Sequence, residues 1–133
     1  ITGLLSGEVH TLFASIPSVL AQIRSGRVRA LAVSTAKRNP TLPQVPTLGE
    51  AGVSGYDAAS WYGLFAPAGV RNPALDVHTK ELVRTMRLAD VRAKFEADGF
   101  EPVGSTPEAF ARFLGAEMVK WAKTIEAAGI QPQ

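Results

Sequence analysis

The spacing of apolar positions changes along the chain, and each spacing predicts an element. Val28–Val33 is an apolar run of strand length in which both sides are apolar or small: Val28, Leu31 and Val33, with Ala30 and Ala32. A strand covered by helices on both faces needs that composition. Upstream, Ile16, Val19, Leu20 and Ile23 recur at i, i+3, i+4 and i+7, one apolar face of a short helix. Ser15 suits its N-cap, Pro17 is tolerated in its first turn, and Gly26 can close it. Val9–Phe13 alternates imperfectly and predicts a short strand ahead of that helix. Strand, helix and strand at this spacing make a βαβ unit, with parallel strands and a right-handed crossover.

Pro40, Pro43 and Pro46 then forbid regular structure. Thr47-Leu48-Gly49-Glu50 has the spacing of a capping box for one short helix, stopped by Gly52. Ser60–Ala66 predicts another strand, broken by Pro67 and Gly69. Asn72-Pro73 reads as an N-cap with proline at the first helical position. The helix it opens runs to about Arg87 and buries Leu75, Leu82, Val83 and Met86. His78 and Thr79 interrupt that face. Asp90 is placed to cap a helix over Val91–Ala97 that Gly99 ends, and Phe100–Val103 is a brief extended piece. The longest helix starts at Ser105 or Thr106 and carries a stripe of Phe110, Phe113, Leu114, Met118, Trp121 and Ile125 up to Gly129. At the amino end, Ile1–Leu5 resembles the last turn of a helix closed by Gly7.

The 133 residues amount to one ordinary domain, with 46% hydrophobic and 20% charged residues. No apolar run approaches the length of a membrane span. The chain starts at Ile1 with no basic-then-apolar leader, so no signal peptide is visible. There is no cysteine, which excludes disulfides and thiolate metal sites. Net charge is +2, and the Lys and Arg residues look scattered along the sequence. Nucleic acid binding therefore gains little support, while a mildly positive surface suits an anionic ligand.

The sequence points to binding rather than bond chemistry. It contains no nucleophile elbow, phosphate loop or dinucleotide fingerprint, and Glu8, Glu50, Asp57 and Asp76 form no evident acid–base pair. His10 and His78 lack metal-ligand spacing, so no metal or other cofactor is expected. The turn Phe13-Ala14-Ser15 lies where a strand gives way to a helix. Ligands of open α/β sheets bind beyond such strand ends, and a helix start offers free N–H groups and partial positive charge. A carboxylate could be held there by backbone amides and the Ser15 hydroxyl; the alternative is that Ser15 only caps the helix. Ser34, at the exit of the next strand, is a second candidate, against an ordinary loop exit. Trp61 and Tyr62 alternate across their strand, so only one can face a ligand, and Trp61 is better suited to packing. Arg38 can bridge across the proline loop or tie it to carbonyl oxygens.

The series Gly26, Leu31-Ala32-Val33, Arg38, Leu42-Pro43, Val45-Pro46-Thr47 and Glu50-Ala51-Gly52, followed by Ser60-Trp61-Tyr62-Gly63-Leu64-Phe65-Ala66, resembles the substrate-binding receptors of tripartite tricarboxylate transporters, the Bug receptors. The likeness runs from Leu4 to Ile130 and matches the carboxyl-terminal portion of such a receptor. It implies an α/β, periplasmic-binding-protein-like fold of type II, present in part: the parallel βαβ unit plus a carboxyl-terminal helical segment. Residues 1–55 would end the second lobe, and residues 56–133 would return to the first. The implied function is extracytoplasmic capture of a small organic acid for membrane permease subunits, without catalysis and in the periplasm. Phe13, Ala14, Ser15 and Ser34 are the ligand-binding candidates, and the first three match the turn that faces the cleft in these receptors. His10 stands where the family commonly has an acidic residue, and the helix from Pro73 to about Arg87 is one residue shorter than the family's usual helix there, which bears on the register of Asp76–Lys80. Unpaired sheet edges and the long helix raise one alternative, a non-catalytic self-associating module that forms a homodimer.

Overall fold

The computed structural model describes residues 1–70 and 72–131. Five helices account for its regular structure: α1 (Thr2–Ser6), α2 (Ile16–Arg24), α3 (Asn72–Thr85), α4 (Ala89–Ala97) and α5 (Pro107–Ala127). The chain forms two compact units. Unit 1 holds residues 1–65 and 88–102; unit 2 holds residues 66–87 and 103 onward. The backbone thus passes between units after Phe65, after Arg87 and after Pro102.

Unit 1 is built around Leu20, Val33, Leu42 and Val45, all buried. Ile16, Ile23 and Ala30 pack on this cluster. The apolar face expected of α2 is therefore the face it buries. α2 ends as Gly26 predicts: the Gly26 N–H donates to Ile23 O and the Arg27 N–H to Gln22 O, both at 3.0 Å. These two bonds satisfy carbonyls that the helix end would leave open.

α4 reaches α2 through its own terminus. The Gly99 N–H donates to Glu96 O and the Phe100 N–H to Phe95 O, both at 3.0 Å. The rings of Phe95 and Phe100 meet edge to face at 5.9 Å, the apolar contact that accompanies this helix stop. Gly99 is buried at φ +87°, and a Cβ there would lie 2.6 Å from Ile16 Cγ2. Glycine is needed for the left-handed backbone and for the approach of α4 to α2. Arg24 Nη2 adds a hydrogen bond to Ala97 O at 3.2 Å.

The expected strands do not form a sheet. Among the described residues the only pairing is one parallel bridge between Val33 and Thr47. The Val33 N–H donates to Pro46 O at 2.8 Å, and Val33 O accepts from the Leu48 N–H at 2.9 Å. Extending that ladder backward would need an N–H at position 46, which proline lacks. Extending it forward would need the Glu50 N–H, which already donates to Thr47 Oγ1 at 3.0 Å. Val9–Phe13 and Ser60–Ala66 have no strand partner among the described residues, and Phe13, Leu64 and Phe65 are exposed. The parallel βαβ unit is thus not formed as a sheet here: its helix is in place, but the two expected strands do not pair with each other, and the Val9 and Val28 N–H groups donate instead to Gly3 O at 3.1 Å and Gln22 O at 3.2 Å.

The proline loop is ordered by side chains. The reciprocal bond from the Thr47 N–H to Glu50 Oε2 is 2.8 Å, so the capping box is complete. It closes a tight turn rather than a helix, with the Val53 N–H donating to Leu48 O at 2.9 Å. Arg38 donates through Nε to both Glu50 oxygens, at 2.8 and 3.1 Å, and through Nη1 to Pro43 O at 3.1 Å. It fills both expected roles at once.

In unit 2, α3 places Leu75, Leu82 and Val83 in half-buried positions, with His78 exposed; the helix ends at Thr85, and Met86, in the turn that follows, is also half-buried. The proposed Asn72 cap concerns a side chain outside the described residues. α4 in unit 1 is not capped by Asp90: its N-cap is Leu88, in extended conformation without a side-chain bond, and Asp90 lies in the first turn. A carboxylate there still complements the helix dipole. α5 is capped by Thr106, whose Oγ1 accepts from the Ala109 N–H at 3.3 Å. Its apolar stripe is half-buried at Phe110 and Leu114 but exposed at Met118, Trp121 and Ile125. Glu117 lies buried on the same stripe, accepting from Trp121 Nε1 at 3.0 Å and pairing with Lys120.

Candidate functional site

The first candidate turn sits at the start of α2. Ile16 and Leu20 anchor this helix in the core of unit 1, which fixes the backbone just ahead of it. Phe13 is 81% exposed and Ala14 is exposed, while Ser15 is half-buried as the N-cap residue. Ser15 does not cap in the usual way. Its side chain accepts from no helix N–H; it donates to Ser18 Oγ at 3.2 Å. Ser18 Oγ in turn donates to Ser15 O at 2.7 Å. Of the first-turn N–H groups, Pro17 has none and that of Ser18 donates to Ser15 O at 3.1 Å, which leaves the Ile16 N–H without a side-chain cap, while the Ser15 oxygen keeps acceptor capacity. This arrangement suits an anionic oxygen.

Ser34 directly follows the buried Val33 and is half-buried. Its carbonyl accepts from the Ala58 N–H at 2.8 Å. The Ala36 N–H donates to Asp57 Oδ1 at 3.0 Å, and Thr35 Oγ1 to Lys37 O at 2.7 Å. The exit loop is thus held by residues 57 and 58, a support that no sequence spacing signalled. The structure brings Ile16 and Val33, the neighbours of Ser15 and Ser34, into one apolar cluster. Trp61 is half-buried, in keeping with a packing role, whereas Tyr62 is exposed and meets the Phe100 ring edge to face at 5.8 Å.

Electrostatics concentrate in the proline loop rather than at these turns. The Arg38 guanidinium, and after it the Thr47 N–H, hold the Glu50 carboxyl below the usual carboxylate range. Among the described residues no group of three or more His, Asp or Glu is placed to hold a metal. A cleft of about 310 Å³ in unit 1 is lined by Pro40, Thr41, Arg92, Glu96, Phe100 and Glu101. None of the four candidate residues lines it, and its lining offers no arrangement of donors for a carboxylate, because Arg92 is engaged by Glu96 at 2.9 Å. The turns are the better candidate on chemical grounds.

The family model described as the tripartite tricarboxylate transporter family receptor matches residues 1–130. The chain belongs to that receptor family. Among curated relatives it is 31% identical to Protein BugT of Bordetella pertussis over 129 residues, covering 97% of this chain and 40% of the relative. It is 32% identical over 126 residues to a UPF0065 protein in the tcbD-tcbE intergenic region of Pseudomonas sp. strain P51, covering 94% of this chain and 38% of that one. Among solved structures, R. palustris Rpa4515 with adipate superposes with a TM-score of 0.90 at 34% identity, covering 99% of this chain and 44% of that one. The periplasmic binding protein BugD gives a TM-score of 0.79 at 32% identity, covering 86% and 39%. The fold of this receptor chain is accordingly periplasmic-binding-protein-like, although it spans only about two fifths of these relatives' length. The family itself is one of substrate-binding receptors rather than enzymes.

Proposed function

We propose that this chain forms part of a periplasmic receptor that captures a small carboxylate and presents it to membrane permease subunits of a tripartite tricarboxylate-type transporter. The observation that carries this reading is the match of 99% of the chain, at a TM-score of 0.90, to a receptor solved with adipate. In the proposal, residues 1–55 end the second lobe and residues 56–133 return to the first. The extended segments 28–33 and 60–66 take their places in type II receptor sheets when neighbouring strands are supplied. The carboxylate is held at Phe13-Ala14-Ser15 by helix-start amides and the Ser15 hydroxyl, with Ser34 contributing from the next strand exit. Lobe closure excludes water and strengthens those hydrogen bonds.

A panel of linear dicarboxylates, adipate first, tests the reading by calorimetric titration of the chain. With much of the cleft supplied by other segments, affinity in the millimolar range or weaker is expected, and Ser15→Ala should weaken it further. Micromolar affinity for a dicarboxylate would contradict the shared-cleft account. Affinity that is unchanged in Ser15→Ala would contradict the assignment of the turn.

A second reading rests on the exposure of Phe13 (81%), Tyr62 (77%), Leu64 (72%) and Phe65 (63%). Apolar surface of this kind supports self-association into a homodimer. Light scattering separates the two: a concentration-dependent dimer insensitive to carboxylates favours self-association, and a monomer at all concentrations removes it.

A further inference from the structure

Between Glu8 and Glu50 the chain carries Arg24, Arg27, Arg29, Lys37 and Arg38 and no acidic residue. The whole chain has a net charge of only +2, so the remainder is net negative. Charge is therefore segregated, although the cations look scattered in a linear reading. Three of the five lie together around the end of α2. Arg24 is in its last turn, and Arg27 donates the backbone bond that closes it. Beyond it, exposure alternates: Arg27, Arg29 and Leu31 are exposed, while Val28, Ala30 and Ala32 are half-buried. That alternation puts Arg27 and Arg29 on one side of an extended segment, about 7 Å apart.

The surroundings leave these charges uncompensated. Arg38, Arg84 and Arg92 each pair with a glutamate at 2.8–2.9 Å, whereas no ion pair involves Arg24, Arg27 or Arg29 among the described residues. Arg24 spends one N–H on Ala97 O. A helix C-terminus attracts a cation, which accounts for Arg24 but not for Arg27 and Arg29 farther along. Two acidic residues flank Ala97: Glu96 is paired with Arg92 at 2.9 Å, and Asp98 is in no ion pair among the described residues, so together they offset only part of the charge.

We propose that Arg24, Arg27 and Arg29 form a docking patch for an acidic polypeptide segment of a partner protein. Guanidinium forks match carboxylates in a bidentate way. The spacing of Arg27 and Arg29 equals the spacing of alternate side chains on an extended acidic strand. A lipid surface fits less well, because the patch lacks the amphipathic cationic helix that lies in a membrane interface.

The test is fluorescence anisotropy of a labelled ten-residue polyglutamate peptide titrated with the full chain at low ionic strength. The double variant Arg27→Glu/Arg29→Glu should lose about tenfold or more in affinity. The control Arg112→Glu/Lys123→Glu makes the same charge change on α5 and should lose less than about twofold. Asp98→Asn should tighten binding. Arg27→Gln/Arg29→Gln carries the test if the charge reversal perturbs folding by circular dichroism. Equal losses in patch and control variants would overturn the patch, as would no peptide binding at low salt. Phosphatidylglycerol vesicles that bind more tightly than the peptide, with the same dependence on Arg27 and Arg29, would overturn the choice of partner.

Discussion

Gly99→Ala probes how α4 seats against α2, and so how the helix under the candidate turn is held. Two costs arise at this position. A left-handed backbone at φ +87° costs an alanine about 1–2 kcal/mol. The new Cβ also falls 2.6 Å from Ile16 Cγ2 and 3.5 Å from Leu20 Cδ2. Relieving such overpacking costs about 1–3 kcal/mol more. Gly26→Ala is the matched control, because Gly26 has φ +71° and nothing within 4 Å of its Cβ position. The control bears the backbone cost alone. The expected difference is about 1–3 kcal/mol, or a urea midpoint lower by about 1–3 M for an m of about 1 kcal/mol per M. Unit 1 can be followed through Trp61 fluorescence in a Trp121→Phe background, since Trp61 lies in unit 1 and Trp121 in unit 2. Stabilities of the two variants within about 0.5 kcal/mol of each other would refute the close approach of α4 to α2.

Leu42→Ala removes three buried carbons from the core of unit 1, where Leu42 is 4% exposed. It should cost about 2–4 kcal/mol in the same urea assay, and a loss below about 1 kcal/mol would contradict the assigned core. Thr106→Ala deletes the cap of α5 and should lower unit 2 stability by about 1 kcal/mol, read from Trp121 fluorescence. Glu50 is more acidic in the folded state than its unfolded value of 4.5. Its contribution is therefore present above pH 4.5 and fades as pH falls through the folded pKa. Acid titration of unit 1 should show this loss, Glu50→Gln should remove it, and an identical acid profile in the variant would count against the Arg38–Glu50 clasp. Ser15→Ala should leave stability nearly unchanged, within about 0.5 kcal/mol, because the Ser15 side chain caps no N–H; thermal unfolding by circular dichroism checks this.

Local chemistry was the most legible part of this sequence. Glycine stops, the Thr47–Glu50 box and the apolar face of α2 depend on residues a few positions apart, so their spacing carries the information. The strands were not legible in the same way. An apolar run such as Val28–Val33 states that a segment suits a sheet, but pairing depends on what lies beside it. Here Pro46 and the engaged Glu50 N–H stop the ladder at one bridge. Leu31, expected to be covered, is 59% exposed. At the candidate site, the turn before α2 could be located from the βαβ pattern. The idle capping capacity of Ser15 could not, because serine there reads as a cap whatever its hydroxyl does. The support of the Ser34 loop by Asp57 was equally hidden, since 21 residues separate Asp57 from the Ala36 N–H it receives. The cap of α4 was misplaced because Asp90 has the right chemistry two positions too late, and the backbone of Leu88 makes the turn instead.

The most direct measurement is a nitrogen–proton correlation spectrum of the labelled chain titrated with adipate. The account predicts shifts that saturate only at millimolar concentration and concentrate on the amides of Ala14, Ser15, Ile16 and Ser34, with residues of unit 2 unmoved. Shifts confined to the cleft around Thr41 and Phe100, or no saturable shift at the α2 start, would contradict the assignment of that turn as the carboxylate site.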